Sequence, residues 1–236
     1  LKFLIYKMTE NNLNKLNHVG IILDGNRRFA RRFKWNPWKG HEKGAENVEK
    51  LLDWIQKTKI KELTLYCFSI DNFNRDKDEV NFLMKIFKTY FKKLKKEKQI
   101  HEKKVKINFI GKRELFDSEL QEIMKELEKA TKDYNNYKLN FAMGYGGRQE
   151  IIEAVKKMVE NNEEISEENL QKNLWLSNIP ELIIRTSGEK RLSNFLTWQS
   201  VYSEWIFSDK LWPEFTERDL LDCIEEFYNR KRRFGK

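Results

Sequence analysis

The sequence predicts an α/β fold, a single domain with a mostly parallel central sheet flanked by helices. Three observations carry this expectation. Short apolar runs bounded by polar turns alternate along the chain with segments of helical periodicity, the pattern of a parallel sheet with crossover helices. A length of 236 residues allows one sizeable core, and no linker rich in Gly, Ser or Pro, internal repeat or low-complexity tract divides it. Polar, phosphate-friendly sequences follow several of the apolar runs directly, where α/β sheets gather ligands.

The elements follow in order. Residues 1–17 read as an N-terminal extension and 18–236 as the domain. Leu1 to Met8 is partly apolar, too short to span a bilayer and without a signal-peptide layout. The chain opens on Leu, and Met8 is an alternative start. Strands are expected at His18–Leu23, Leu63–Phe68, Val105–Ile110, Lys138–Met143 and Leu182–Arg185, with a short one at Trp205–Phe207. Helical patterns fill Gly44–Lys57, Asp78–Lys98, Ser118–Lys132, Arg148–Glu160 and Glu217–Lys231. Asp24, Ser69, Gly144 and Arg185 then all fall at the carboxyl ends of strands. The 81–94 segment is apolar around much of its circumference, with Phe82, Leu83, Met84, Ile86, Phe87, Tyr90, Phe91 and Leu94. That suits either a helix packed on both sides or one wall of an apolar tunnel.

The formal charge of +9 admits nucleic acid, anionic membrane or phosphorylated substrates. The excess is clustered at Arg27–Lys34, at Lys92–Lys98 and at Arg230–Arg233. The lysine run reads as a solvated helix face, and peripheral membrane contact is an open possibility. Nothing resembles a zinc finger or an RNA-recognition sheet, which argues against nucleic acid. Cys67 and Cys223 lack metal-like spacing and read as free thiols in a reducing compartment. The expected location is cytoplasmic, with surface contact to membrane open.

The most informative stretch is Asp24-Gly25-Asn26-Arg27-Arg28, after the apolar run Val19–Leu23. A strand that turns into a helix N-terminus leaves N–H groups unpaired. With two arginines beside them these suit a phosphate or diphosphate. Asp24 puts a carboxylate where a divalent cation can bridge it to that phosphate. The competing reading is an Asp that simply caps the helix.

Taken together, HVGIILDGNRRFARR from His18, Gly40-His41, Cys67 to Arg75, Tyr145-Gly-Gly-Arg148, Ile184 to Phe195 and Arg232-Arg233-Phe234-Gly235 resemble, in order, the motifs of the cis-prenyltransferases. This is the family of undecaprenyl diphosphate synthase. The resemblance implies sequential condensation of isopentenyl diphosphate onto an allylic starter, farnesyl or geranylgeranyl diphosphate, giving a long-chain Z-polyprenyl diphosphate, a carrier-lipid precursor. It implies Mg²⁺ dependence, a homodimer and an apolar tunnel for the growing chain.

It also implies roles. Asp24 is the essential carboxylate and, with Glu204, a metal ligand. Gly25, Asn26, Arg27, Arg28, Phe29 and His41 hold the starter's diphosphate. Ser69, Ile70, Asp71, Asn72, Phe73 and Arg75 form the loop between the substrates. Asn72 serves the proton-removal step, although an amide is a poor base. Arg185, Arg191, Leu192 and Ser193 hold isopentenyl diphosphate, joined across a dimer interface by Arg233 and Gly235. Arg27 stands where many bacterial members have Gly and Phe29 where Trp is common, and two further departures remove a contact. Pro37 stands where many members have Arg, so Lys34 or Lys39 is the substitute contact, and Lys190 stands where some bacterial members have a His near the metal. Asp-rich DDxxD motifs mark the trans-acting synthases, and this chain has no Asp-Asp pair. A non-catalytic partner subunit and a basic membrane- or nucleic-acid-binding domain are the alternatives.

Overall fold

The computed structural model describes residues 16–232. Expectations for Leu1 to Met8, and for Arg233 and Gly235, lie outside the described residues. The strands and helices, in chain order, are β1 (His18–Ile22), α1 (Asn26–Arg32), α2 (Pro37–Gln56), β2 (Glu62–Ser69), α3 (Lys77–Lys96), α4 (Lys98–Glu102), β3 (Val105–Ile110), α5 (Ser118–Thr131), β4 (Tyr137–Tyr145), α6 (Gly147–Glu160), α7 (Glu167–Asn173), β5 (Leu182–Arg185), β6 (Glu204–Phe207) and α8 (Glu217–Asn229). Pairing of β1 with β5, β5 with β6 and β3 with β4 is parallel. The α/β class and the parallel strands are as the alternation predicts.

The main departures from the expectation have local reasons. Helix α2 begins at Pro37, not Gly44. Asn36 caps it, its Oδ1 accepting from Trp38 N–H at 3.1 Å, and proline at the first helical position has no N–H to lose. Gly40 and His41 therefore lie inside the helix rather than ahead of it. Helix α7 has no predicted counterpart; Ser166 caps it by accepting from Asn169 N–H at 3.2 Å. The expected extension boundary at 17 passes through packed chain. Leu16 is buried, and the N–H groups of Asn17 and His18 donate to the Glu181 carboxylate at 3.0 and 2.7 Å.

The described chain divides into two compact units, each discontinuous in sequence: residues 16–63, 180–190 and 202–232, and residues 64–179 and 191–201. In the first, the strand order is β1-β5-β6. The register pairs Val19 with Leu182 and Ile22 with Arg185, and Leu182 with Glu204 and Arg185 with Phe207. Every residue of β1 and β5 is buried. Trp212 is fully buried, its indole N–H donating to Gly44 O at 2.7 Å, while Asn47 Nδ2 donates to Trp212 O and Phe215 O. Gly40 and Gly44 allow close approach of α2 to the start of α1, because a Cβ at either would overlap the Asn26 backbone carbonyl or side-chain amide.

In the second unit the order is β3-β4-β2. A buried polar ladder ties these strands: Asn108 Nδ2 donates to Asn140 Oδ1 at 2.8 Å, and Asn140 Nδ2 to Thr64 Oγ1 at 3.0 Å. Of the apolar residues on α3, Leu83 and Phe91 are buried, whereas Phe82, Met84, Ile86, Phe87, Tyr90 and Leu94 are half-buried. The helix is thus packed along one stripe, not on both sides. Phe91 meets Phe109 and Phe141 at 4.8 and 5.2 Å between ring centroids, and Phe68, Phe73, Phe87 and Phe116 form a second aromatic group. The lysine run is mostly exposed, and α5 answers part of it: Lys92 reaches Glu119 at 2.8 Å, as does the preceding Lys88, and Lys95 reaches Glu126 at 2.7 Å.

Candidate functional site

The strand-end cluster of the first unit is built on the parallel pair β1 and β5. Ile22 sits beside Arg185, so the residues just beyond both strands emerge together. Thr186 locks that juncture: its Oγ1 accepts from Asp24 N–H at 3.0 Å and lies 2.7 Å from Asp24 O. The backbone of Asp24 is fixed before its side chain makes any contact. Gly25 follows at φ 112°, in the left-handed region glycine tolerates, and is the residue preceding α1. No side chain caps that helix.

Asp24 is thus not the cap of α1. Its Oδ2 instead accepts from Arg185 Nη2 at 2.9 Å and lies 3.8 Å from Arg28 Nη2. Arg185 is buried, whereas the Arg28 and Asp24 side chains retain 40% and 32% of their exposure. Arg28 also donates to Ser187 Oγ and pairs through Nη1 with Glu189 at 3.1 Å. Asn26 turns its Nδ2 to Leu23 O at 3.3 Å, leaving its buried Oδ1 without a hydrogen-bond partner. Arg27 is exposed, and Phe29 is half-buried against Phe33 and Trp35. His41 is buried within α2.

Glu204 belongs to the other end of the same strands. It pairs with Leu182, which pairs with Val19, so it is level with the start of β1. Val19 to Ile22 alone spans about 10 Å at roughly 3.3 Å per strand residue, and Asp24 lies further on. The register therefore keeps the Asp24 and Glu204 carboxylates of one chain apart. Glu204 instead holds the end of the described chain: Oε2 accepts from Arg230 Nη1 at 2.9 Å, and Oε1 lies 3.9 Å from Arg232 Nε. Arg232 donates further to Tyr202 O at 2.9 Å and lies over the Phe227 ring. Among the described residues, no group of three or more His, Cys, Asp or Glu is arranged to hold a metal ion.

The second unit carries the other predicted residues. Ser69 ends β2, and Ile70 to Asn74 form a 3-10 turn. Asn72 Oδ1 accepts from Ser69 N–H at 3.0 Å, which directs the amide NH₂ away from that bond. Arg75 donates to Glu79 Oε1 at 3.0 Å. Asp71 is exposed, and Ile70 and Phe73 are half-buried, Phe73 meeting Phe68 at 4.8 Å. Arg191, Leu192 and Ser193 are exposed. Ser193 and Asn194 have positive φ, 49° and 61°, in a segment pinned to the start of α6. Gly147 N–H donates to Asn194 O at 2.7 Å, Arg148 N–H to Asn194 Oδ1 at 2.9 Å, and Tyr66 Oη to Ser193 O at 3.2 Å.

Thr186, Ser187 and Glu189 were absent from the predicted site. Their sequence signal was the Thr-Ser-Gly-Glu run itself: polar residues at a strand exit, with Ser187 and Gly188 both at positive φ.

Comparison with known proteins covers nearly the whole chain. Residues 22–235 match the family model described as "Putative undecaprenyl diphosphate synthase". A Pyrococcus horikoshii protein named tritrans,polycis-undecaprenyl-diphosphate synthase (geranylgeranyl-diphosphate specific) is 45% identical over 100% of this chain and 92% of its own. The crystal structure of lavandulyl diphosphate synthase from Lavandula x intermedia, in complex with dimethylallyl diphosphate, superposes with a TM-score of 0.89 at 34% identity, covering 93% of this chain and 98% of that one. A Campylobacter jejuni structure described as a probable undecaprenyl diphosphate synthase gives 0.83 at 33% identity, over 95% and 100%.

Proposed function

Because the chain belongs to the undecaprenyl diphosphate synthase family of cis-prenyltransferases, we propose that it elongates an allylic diphosphate with isopentenyl diphosphate, adding units in Z geometry. Geranylgeranyl diphosphate is the proposed starter, as in the name of the 45% identical relative, and an undecaprenyl-length chain the proposed product. The observation that carries this reading is the fixed Asp24–Arg185–Arg28 cluster at the carboxyl ends of β1 and β5.

In each cycle the C1–O bond of the allylic diphosphate breaks and diphosphate departs with the electron pair. A carbon–carbon bond forms to isopentenyl diphosphate, which loses a proton. Arg28 is half-exposed and held by a hydroxyl and a carboxylate, partners that a diphosphate exchanges for stronger bidentate contacts. Gly25 and Asn26 bring backbone close to it, and Arg27, Phe29 and His41 complete the starter contacts. Lys34 or Lys39, both exposed near Pro37, supplies the missing cation. Arg185, Arg191, Leu192 and Ser193 take isopentenyl diphosphate. Asn72 presents N–H donors, which suit a departing diphosphate or the water that takes the proton, and do not suit a base. Ile70, Asp71, Phe73 and Arg75 frame that step with Ser69. The half-buried Phe82, Met84, Ile86, Phe87 and Tyr90 face of α3 lines the proposed apolar tunnel.

Mg²⁺ is the proposed cofactor. One carboxylate fits it, since Mg²⁺ keeps waters and phosphate oxygens in its shell; Asp24 is that ligand. Bound, the ion neutralises charge on the departing diphosphate. We assign the protein to a homodimer, with Arg233 and Gly235 serving the partner's isopentenyl diphosphate, and to peripheral contact with membrane. No helix among the described residues is long and apolar enough to cross a membrane.

The test is incorporation of labelled isopentenyl diphosphate with Mg²⁺ and equimolar farnesyl and geranylgeranyl diphosphate. A ladder of Z products built on the geranylgeranyl starter is the expected result. Incorporation with neither starter would remove the elongase assignment.

A further inference from the structure

The turn that joins α1 to α2 is exposed without interruption from Arg31 to Pro37. It is not a loose loop. Lys34 stands at φ 54°, and the N–H groups of Lys34 and Trp35 donate back to Arg31 O and Ala30 O at 3.1 and 2.9 Å. This rigid turn presents two large rings to solvent: Phe33 is 51% and Trp35 37% exposed. They stack on each other at 4.8 Å and 25°, with Phe29 behind them. Exposed cations stand on the same turn and at its edges: Arg31, Arg32, Lys34 and Lys39. Arg32 is matched by Glu214 at 2.9 Å.

Exposed aromatic rings within a basic collar are the chemistry of an interfacial anchor, in which the rings enter the headgroup layer and the cations meet anionic lipid. The lysine run on α3 lacks this chemistry, because none of the large rings of α3 is exposed beside it. Stacking of nucleic-acid bases requires open ring faces. Here Phe33 and Trp35 cover one another and Lys39 Nζ lies 5.4 Å over the Trp35 ring.

We infer that the Arg31–Lys39 turn, through Phe33 and Trp35, docks the protein on an anionic lipid bilayer. This deepens the membrane contact proposed above and is independent of elongase activity, because docking is measured without substrate. The full chain is floated with phosphatidylcholine vesicles, alone or containing about a third phosphatidylglycerol. Binding to the anionic vesicles that weakens with salt is expected. Phe33→Ala combined with Trp35→Ala lowers that partition about tenfold or more, and Arg31→Glu about fivefold or more. Circular dichroism and thermal melting confirm that each variant is folded; Arg31 is exposed, so Arg31→Glu carries the test if the ring variant fails to fold. Failure of the wild type to bind anionic vesicles overturns the inference, as does equal binding by folded variants. Preferential binding of a short single-stranded RNA that depends on Phe33 and Trp35 also overturns it, in favour of nucleic acid. The product assay, run without vesicles, reports the elongase assignment separately.

Discussion

Asp24 and Glu204 make almost the same contacts at opposite ends of the same strands. Each carboxylate accepts from one guanidinium at 2.9 Å and has a second at 3.8 or 3.9 Å. Their placements differ. Asp24 lies past the carboxyl ends of β1 and β5, held by a buried arginine and a backbone pinned by Thr186. Ligands of α/β sheets gather at those ends. Glu204 opens β6 at the amino ends and ties down Arg230 and Arg232, the approach to the C-terminal tail. A carboxylate between two arginines is therefore not a functional signature by itself. Their levels along the strands differ: Asp24 stands at the ends where α/β sheets gather ligands, and Glu204 at the ends where it holds Arg230.

Substitutions at the two ends test this difference. The largest expected effect is at the carboxyl end: Asp24→Asn lowers kcat about 10³-fold or more, measured as steady-state incorporation, with the melting temperature little changed. Arg185→Ala raises KM for isopentenyl diphosphate about tenfold or more and KM for the starter much less; equal rises would dissolve the division between the two diphosphate sites. At the amino end, Glu204→Gln raises KM for isopentenyl diphosphate several-fold through a loosened tail. Arg230→Ala does the same, and the double variant is no worse than either alone, because one clamp is being broken. Additive losses would contradict the clamp.

The smallest effect concerns a carboxyl at neither end. Burial pushes Glu150 above its ordinary value near 4.5, despite hydrogen bonds from Tyr145 Oη, Leu176 N–H and Gln199 Nε2. A raised folded value means its contribution is complete below the unfolded range and is lost as pH rises through the folded value. Thermal midpoints should fall across that window, and Glu150→Gln should flatten the fall.

The sequence exposed much of this because its signals were local. Short apolar runs such as Leu182–Arg185, buried throughout, and Val105–Ile110, which alternates at its start, were found to the residue. Asp24 and Arg185 were readable as charged residues at strand ends, and the structure brings them to 2.9 Å of each other. The start of α2 was missed because Pro37 was weighed as a lost arginine, when Asn36-Pro37 is a cap followed by a first-turn proline. The separation of Asp24 from Glu204 within one chain was illegible for a different reason. Motif order along the chain carries no register, and only the alignment of Val19, Leu182 and Glu204 reveals that the two carboxylates occupy opposite strand ends. Thr186 and Glu189 escaped notice because their partners lie more than 150 residues away.

The measurement closest to the central claim is a Mg²⁺ titration of product formation by wild type, Asp24→Asn and Glu204→Gln, with labelled isopentenyl diphosphate and geranylgeranyl diphosphate. The account predicts that Glu204→Gln keeps the wild-type Mg²⁺ midpoint and Z-product ladder at raised isopentenyl diphosphate, while Asp24→Asn yields no ladder at any Mg²⁺ concentration. A shifted midpoint in Glu204→Gln, or a full ladder from Asp24→Asn, would contradict it.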